Sequence, residues 1–110
     1  MKAIVIVWDG LRPEFVRRDL TPTLCSLADR GVTFTNHSAV FPTETRVNSS
    51  SLATGCYPDR HGMVANRFWD RDMAAFVNTG DPEDLDRVLA HTGTVLSVPT
   101  ASERLSEAGF

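Results

Sequence analysis

The run Lys2 to Trp8, KAIVIVW, limits what this 110-residue chain can fold into more than any other stretch. It is almost wholly apolar and rich in Ile and Val, which suits a strand buried on both faces of a parallel sheet. Asp9 and Gly10 end it. In open α/β sheets ligands bind beyond the carboxyl ends of the strands, so a carboxylate at Asp9 is well placed for a metal ion, although an Asp-Gly pair also makes a plain turn. Thr21 and Pro22 then start a helix, and Leu20, Leu24 and Leu27, with Ala28 beside them, form an apolar stripe to lie on the sheet. Gly31 ends that helix. Val32 to Val40 alternates apolar and polar at first, with Val32 and Phe34 on one face, and reads as a second strand. Strand, crossover helix and strand make a parallel-sheet unit, whose carboxyl end would bring Thr45 near Asp9.

The stretch Phe41 to Asp70, FPTETRVNSSSLATGCYPDRHGMVANRFWD, is where chemistry is expected. Thr45 is read as the cap of a helix over Arg46 to Thr54, and Gly55 as its left-handed stop. The first amides of a helix lack internal partners and carry partial positive charge, so an anion such as phosphate is stabilised where Thr45 points. Threonines cap many helices that do no chemistry. Here Thr45 keeps company with Asp9 after the first strand and Asn66 in a loop closed by Tyr57, Pro58, His61 and Gly62.

These pieces together resemble the nucleotide pyrophosphatase/phosphodiesterase family of the alkaline phosphatase superfamily. The resemblance rests on VWDG at Val7 to Gly10, FPTET at Phe41 to Thr45, Asn48, LATG at Leu52 to Gly55, YPDRHGM ending at Met63, and Asn66. It implies a parallel-sheet alkaline-phosphatase-like α/β fold, of which residues 1–110 would be the N-terminal part of one catalytic domain, cut before most metal ligands. It implies Thr45 as nucleophile and, with Asp9, as a metal ligand. The family pattern sets the nucleophile 21 positions before the loop asparagine, which selects Thr45 ahead of Asn66 over the neighbouring hydroxyls of Thr43, Ser49, Ser50 and Ser51. Two zinc ions are implied for the full-length protein, and a small nucleotide-type phosphodiester or pyrophosphate as substrate. His61 falls in the family's YPxxHG turn, which implies a structural or pocket-edge role. The chain departs from the pattern at Arg46 and Val47, where many such enzymes carry Phe and Pro; Arg46 is a candidate contact for an anionic leaving group or, failing that, a solvated side chain.

No neighbouring His or Lys is placed to take the Thr45 proton, so a bound cation is the expected activator. The amide of Asn66 and the backbone N–H at Thr45 would donate to a phosphoryl oxygen. The first step would leave a phosphothreonine. The alternatives are a phosphonoacetate-hydrolase-like or phosphomonoesterase activity and, from another class, a non-catalytic remnant that binds a ligand or partner. A sulfatase is disfavoured, because the Cys or Ser followed by x-Pro-x-Arg that such enzymes modify is not found here.

Beyond Asn66 the sequence suggests a hairpin from Arg67 to Asp72 and Met73 to Val77. A helix begins at Asp81 and Pro82, and Thr94 to Val98 is a short strand or loop. Thr100 and Glu103 form a capping box for a last helix stopped by Gly109. A helix ending one residue before Phe110 suggests a fragment unable to turn over or hold zinc tightly by itself. Net charge is −3 and no basic block exceeds Arg17 and Arg18, which argues against a nucleic-acid duplex as partner. Cys25 and Cys56 form neither a metal-type CxxC nor a disulfide framework. The apolar run at the start is too short for a membrane span and no cleavage site follows, which points to the cytoplasm, or to export if a signal preceded it. Asn36 opens a glycosylation sequon relevant only after secretion; a second, at Asn48, falls inside the expected helix.

Overall fold

The computed structural model of the chain describes residues 3–110, which fall into two compact units, 3–38 and 39–110. In the first unit residues 3–8 form no strand, and Ile4 to Trp8 are between 60% and 87% exposed. Lys2, the first residue of the expected strand, lies outside the described residues. The second expected strand is also absent: residues 32–40 are irregular, with Val32 and Phe34 exposed. The parallel strand–helix–strand unit is therefore not formed among the described residues. Apolar, β-branched sequence favours extended backbone, but a strand exists only where a neighbour supplies the other half of the ladder.

The helix between them does form, as α1 over Pro22–Arg30. Pro22 sits in its first turn, where a missing N–H costs nothing. Thr21 does not cap it by side chain; its hydroxyl donates to the carbonyl of Phe15 and accepts from the N–H of Arg17, closing a loop behind a short 3-10 turn at Pro13–Phe15. Gly31 has extended backbone. Arg18 pairs with Asp29 at 2.9 Å. Leu20 and Leu27 of the expected stripe are exposed and Leu24 is half-buried.

The second unit carries most of the regular structure. Helix α2 spans Thr45–Thr54 and ends at Gly55, whose φ of +69° is the left-handed stop expected of it. A four-residue turn of helix, α3, follows at Pro58–His61 and was not foreseen in the sequence. It closes on Gly62, whose φ of +81° favours glycine; an added Cβ would lie 2.8 Å from Ser97 Oγ and make that hydroxyl turn away. Strands β1, Arg67–Asp70, and β2, Ala75–Asn78, pair antiparallel with Phe68 opposite Val77 and Trp69 opposite Phe76. The rings of Trp69 and Phe76 meet edge to face at 5.2 Å on the more exposed side of the hairpin. Helix α4, Pro82–Thr92, is capped by the Asp81 carboxylate, which accepts from the N–H of Glu83. Asp84 accepts from the N–H of Asn78 at 2.7 Å, tying α4 to the end of β2. Helix α5, Ala101–Glu107, has the full capping box of Thr100 and Glu103. Residues 94–98 are irregular.

The core of this unit is small: Val47 and His61 at 0% exposure, with Val77, Thr79 and Met63 around them. His61 is its largest fully buried side chain, and its ring makes two contacts. Nδ1 lies 3.1 Å from the N–H of Met63, and Nε2 lies 2.8 Å from Ser51 Oγ. A backbone N–H can only donate, so Nδ1 is the acceptor, Nε2 carries the proton, and the ring donates to the Ser51 hydroxyl. The imidazole is thus a neutral staple between α2 and the turn after α3. Burial holds its pKa below the usual imidazole range, with the Asp59 carboxylate opposing.

Asn48 performs a similar service on the exposed side of α2. Its Oδ1 accepts from the N–H of Val40 at 2.9 Å, and its Nδ2 donates to the carbonyls of Glu44, Pro42 and Val40 at 3.0, 3.2 and 3.4 Å. One side chain therefore satisfies the backbone of the loop that leads into Thr45. A glycan on this nitrogen would leave it a single hydrogen for the three carbonyls it now serves and put a bulky group among them, so the Asn48 sequon conflicts with the folded loop.

Two outcomes follow. Because His61 is neutral when folded and its folded pKa is lowered, its stabilising contribution is complete above its ordinary value of 6.5 and declines as pH falls through that value. Thermal melts should show a steeper loss of Tm on acidification in wild type than in His61→Gln. Asn48→Ala should cost about 1 to 3 kcal/mol in chemical denaturation, and speed hydrogen exchange at Val40. Asn48→Asp should be no better, since it sets a carboxylate against three carbonyls.

Candidate functional site

The start of α2 differs by one residue from the sequence expectation. Glu44, with φ −107° and ψ 147°, occupies the cap position, and Thr45 is the first helical residue. The reason is that the Glu44 carbonyl already accepts the first helical bond, from the N–H of Asn48 at 3.0 Å. The amides of Thr45, Arg46 and Val47 therefore lie in the first turn, where helical partners are missing. Thr45 and Arg46 are exposed, and Val47 turns inward to the core.

Asn66 meets this turn from the loop before β1. Its Oδ1 accepts from the N–H of Arg46 at 3.2 Å, which supplies one of the missing partners. The orientation has a chemical consequence: with the oxygen turned toward Arg46, the donor end of this amide is Nδ2. The Asn66 backbone is held on both sides. Its N–H donates to the Glu44 carboxylate, and its carbonyl accepts from the N–H and hydroxyl of Thr79 at 2.9 and 3.0 Å. Thr79 is buried. Asn66 is thus bracketed by Glu44, Arg46 and Thr79.

The structure brings together three of the four residues singled out in the sequence, Thr45, Arg46 and Asn66, within the second unit. Asp9 belongs to the first, exposed at the end of the Ile4–Trp8 run, in a turn where Gly10 has φ +76° and the N–H of Leu11 donates to the carbonyl of Trp8 at 3.4 Å. Among the described residues no three His, Cys, Asp or Glu side chains group to hold a metal ion. The carboxylate of Asp9 and the hydroxyl of Thr45 are oxygen donors of the kind a hard or borderline divalent cation accepts, but two donors do not complete a tetrahedral set.

Ser51 and His61 form a Ser–His pair outside this site. They are within hydrogen-bond distance, yet the tautomer forced by Met63 leaves no lone pair on Nε2 to accept a proton from Ser51. That pair is structural. A cavity of about 600 Å³ lies along α4 and α5 beside Leu89, Leu96, Pro99 and Glu103 and includes none of the residues bracketing Asn66. Three further residues shape the site: Glu44 and Asn48 fall within the motif pieces but were given no role there, and Thr79 carried no signal, because their partners are either backbone groups or lie far away in sequence.

The profile of the family described as type I phosphodiesterase / nucleotide pyrophosphatase matches residues 3–107. A Schizosaccharomyces pombe protein named as an uncharacterized pyrophosphatase/phosphodiesterase is 43% identical over 67 residues, covering 61% of this chain and 14% of its own length. The bis(5′-adenosyl)-triphosphatase of Xenopus laevis is 36% identical over 80 residues, covering 73% of this chain and 18% of its own. Ectonucleotide pyrophosphatase/phosphodiesterase 1 of Saccharomyces cerevisiae is 42% identical over 77 residues, 64% of this chain and 10% of its own. The chain thus spans less than a fifth of the length of these relatives. No solved structure matches it. No helix among the described residues is long and apolar enough to cross a membrane. The family profile takes in nearly the whole chain, and the chain belongs to the type I phosphodiesterase / nucleotide pyrophosphatase family.

Proposed function

We propose that these residues form the amino-terminal part of a single alkaline-phosphatase-like catalytic domain that hydrolyses phosphodiester or pyrophosphate bonds of small, nucleotide-type molecules. One observation carries the reading: an exposed threonine on the first turn of α2 stands next to an asparagine amide pinned to that same turn. Family membership supports the reaction class, and the name of the Xenopus relative supports a nucleotide-type substrate.

In this reading Thr45 Oγ1 attacks phosphorus, its proton leaves to water, and the bond to the departing oxygen breaks, giving a phosphothreonine. Asn66 Nδ2 and the backbone N–H of Thr45 would donate to a non-bridging oxygen as negative charge is held there. Water then attacks phosphorus and the Thr45 oxygen departs, regenerating the hydroxyl. Zinc is the proposed cofactor, with Asp9 and Thr45 as two of its ligands and further donors needed to complete the set. When bound it would favour the deprotonated hydroxyl and offset phosphoryl charge.

The test is hydrolysis of bis(p-nitrophenyl) phosphate by the full-length protein. Thr45→Ala should lower kcat by about a thousandfold or more, as removal of a covalent nucleophile does. A chelator should abolish turnover and zinc should restore it. Turnover that survives in Thr45→Ala rules the mechanism out, and no turnover at all by the wild type would favour a non-catalytic remnant.

Arg46 favours a second reading within the same chemistry. An exposed guanidinium in the first turn of α2 suits a substrate with one more negative charge than a diester, on the leaving group of a carboxylate-bearing phosphonate or on the phosphoryl group of a phosphomonoester. If that reading holds, Arg46→Ala should raise KM about tenfold for substrates with an anionic leaving group and leave a diester with a neutral one nearly unchanged. Equal effects on both substrates would assign Arg46 to the phosphoryl group itself.

A further inference from the structure

We infer that Glu44 is a positioning residue for the reaction proposed above: its carboxylate holds the backbone of Asn66 so that the Asn66 amide is fixed on the first turn of α2 beside Thr45. The inference rests on that functional reading but concerns a residue to which it gives no role.

The geometry behind it is a closed set of bonds. The Glu44 backbone is immobilised first: its N–H donates to the Pro42 carbonyl at 2.8 Å, and its carbonyl accepts from the Asn48 N–H and from Asn48 Nδ2, both at 3.0 Å. From that fixed base the side chain reaches across to the N–H of Asn66. Asn66 returns to the same turn through its Oδ1 on the N–H of Arg46 at 3.2 Å. Glu44, Arg46 and Asn66 thus close a ring, and buried Thr79 fixes the Asn66 carbonyl from the other side. If the Glu44 contact is removed, the ring opens at the edge where only Glu44 holds the N–H.

The residue type fits the task. An acceptor is required, since the partner is a backbone N–H, and two methylenes are required to span from the cap position of α2 to the loop before β1. The negative charge is not required, and it opposes an incoming phosphate. Gln should therefore serve as well, Asp should reach less far, and Ala should fail.

The experiment compares Glu44→Ala, Glu44→Gln and Glu44→Asp in the full-length protein, each alone and with Asn66→Ala, and follows two quantities. Displacement of a catalytic donor by a fraction of an ångström is expressed in kcat, so Glu44→Ala should lower kcat about tenfold to a hundredfold with little change in KM. Glu44→Gln should stay within about threefold of wild type, and Glu44→Asp should fall between. In the Asn66→Ala background, Glu44→Ala should add less than about twofold, because the group it positions is already gone. Independently of turnover, the backbone amide of Asn66 should exchange faster with deuterium in Glu44→Ala but not in Glu44→Gln.

Wild-type kcat and wild-type exchange in Glu44→Ala would overturn the inference, as would effects of Glu44→Ala and Asn66→Ala that multiply. Should Glu44→Ala fail to fold, the Gln and Asp variants decide it by the same measurements. Loss of activity in Thr45→Ala with none in Glu44→Ala removes only this inference, whereas activity retained in Thr45→Ala removes the functional reading itself.

Discussion

Backbone amides at the start of a helix have no partners of their own, and that shortage organises the second unit around Thr45. Asn66 answers one of the missing bonds through Arg46, and in doing so its loop is brought against α2. Glu44 and Thr79 then take up the backbone of Asn66. A donor left wanting by helix geometry thus becomes the point on which a remote loop is located.

Two side chains keep that turn in place from opposite sides. Asn48 gathers the backbone of residues 40 to 44, and His61 fastens α2 through Ser51 while its other nitrogen holds the chain after α3. Both are polar groups whose bonding capacity is largely used, and in a core as small as Val47, Val77 and Met63 such contacts do work that apolar packing alone does not supply. Loss of either would be felt at Thr45 without touching it.

What could be read in the sequence was what local chemistry decides. The stop at Gly55, the proline start of α1, the Asp81 cap and the capping box at Thr100 and Glu103 all depend on residues within a turn of one another, and all are present. The hairpin emerged with shorter strands than expected. Among the described residues no strand forms at 3–8 or 32–40, because extended preference is local but a ladder is not. At the site the motif spacing picked out Thr45, Arg46 and Asn66, which lie together, while the cap itself moved to Glu44 because the carbonyl, not the hydroxyl, defines it. Glu44 and Asn66 stand far apart along the chain, and nothing in either residue announces the other.

The exposed run from Ile4 to Trp8 has a practical consequence for handling the protein. Such a segment, flat and β-branched, is a template on which another extended chain can add, so solubility is more sensitive there than folding. A lysine in place of Val5 or Val7 gives up little packing within the first unit, where those side chains touch mostly solvent, and sets a like charge in the way of every copy that would stack upon it.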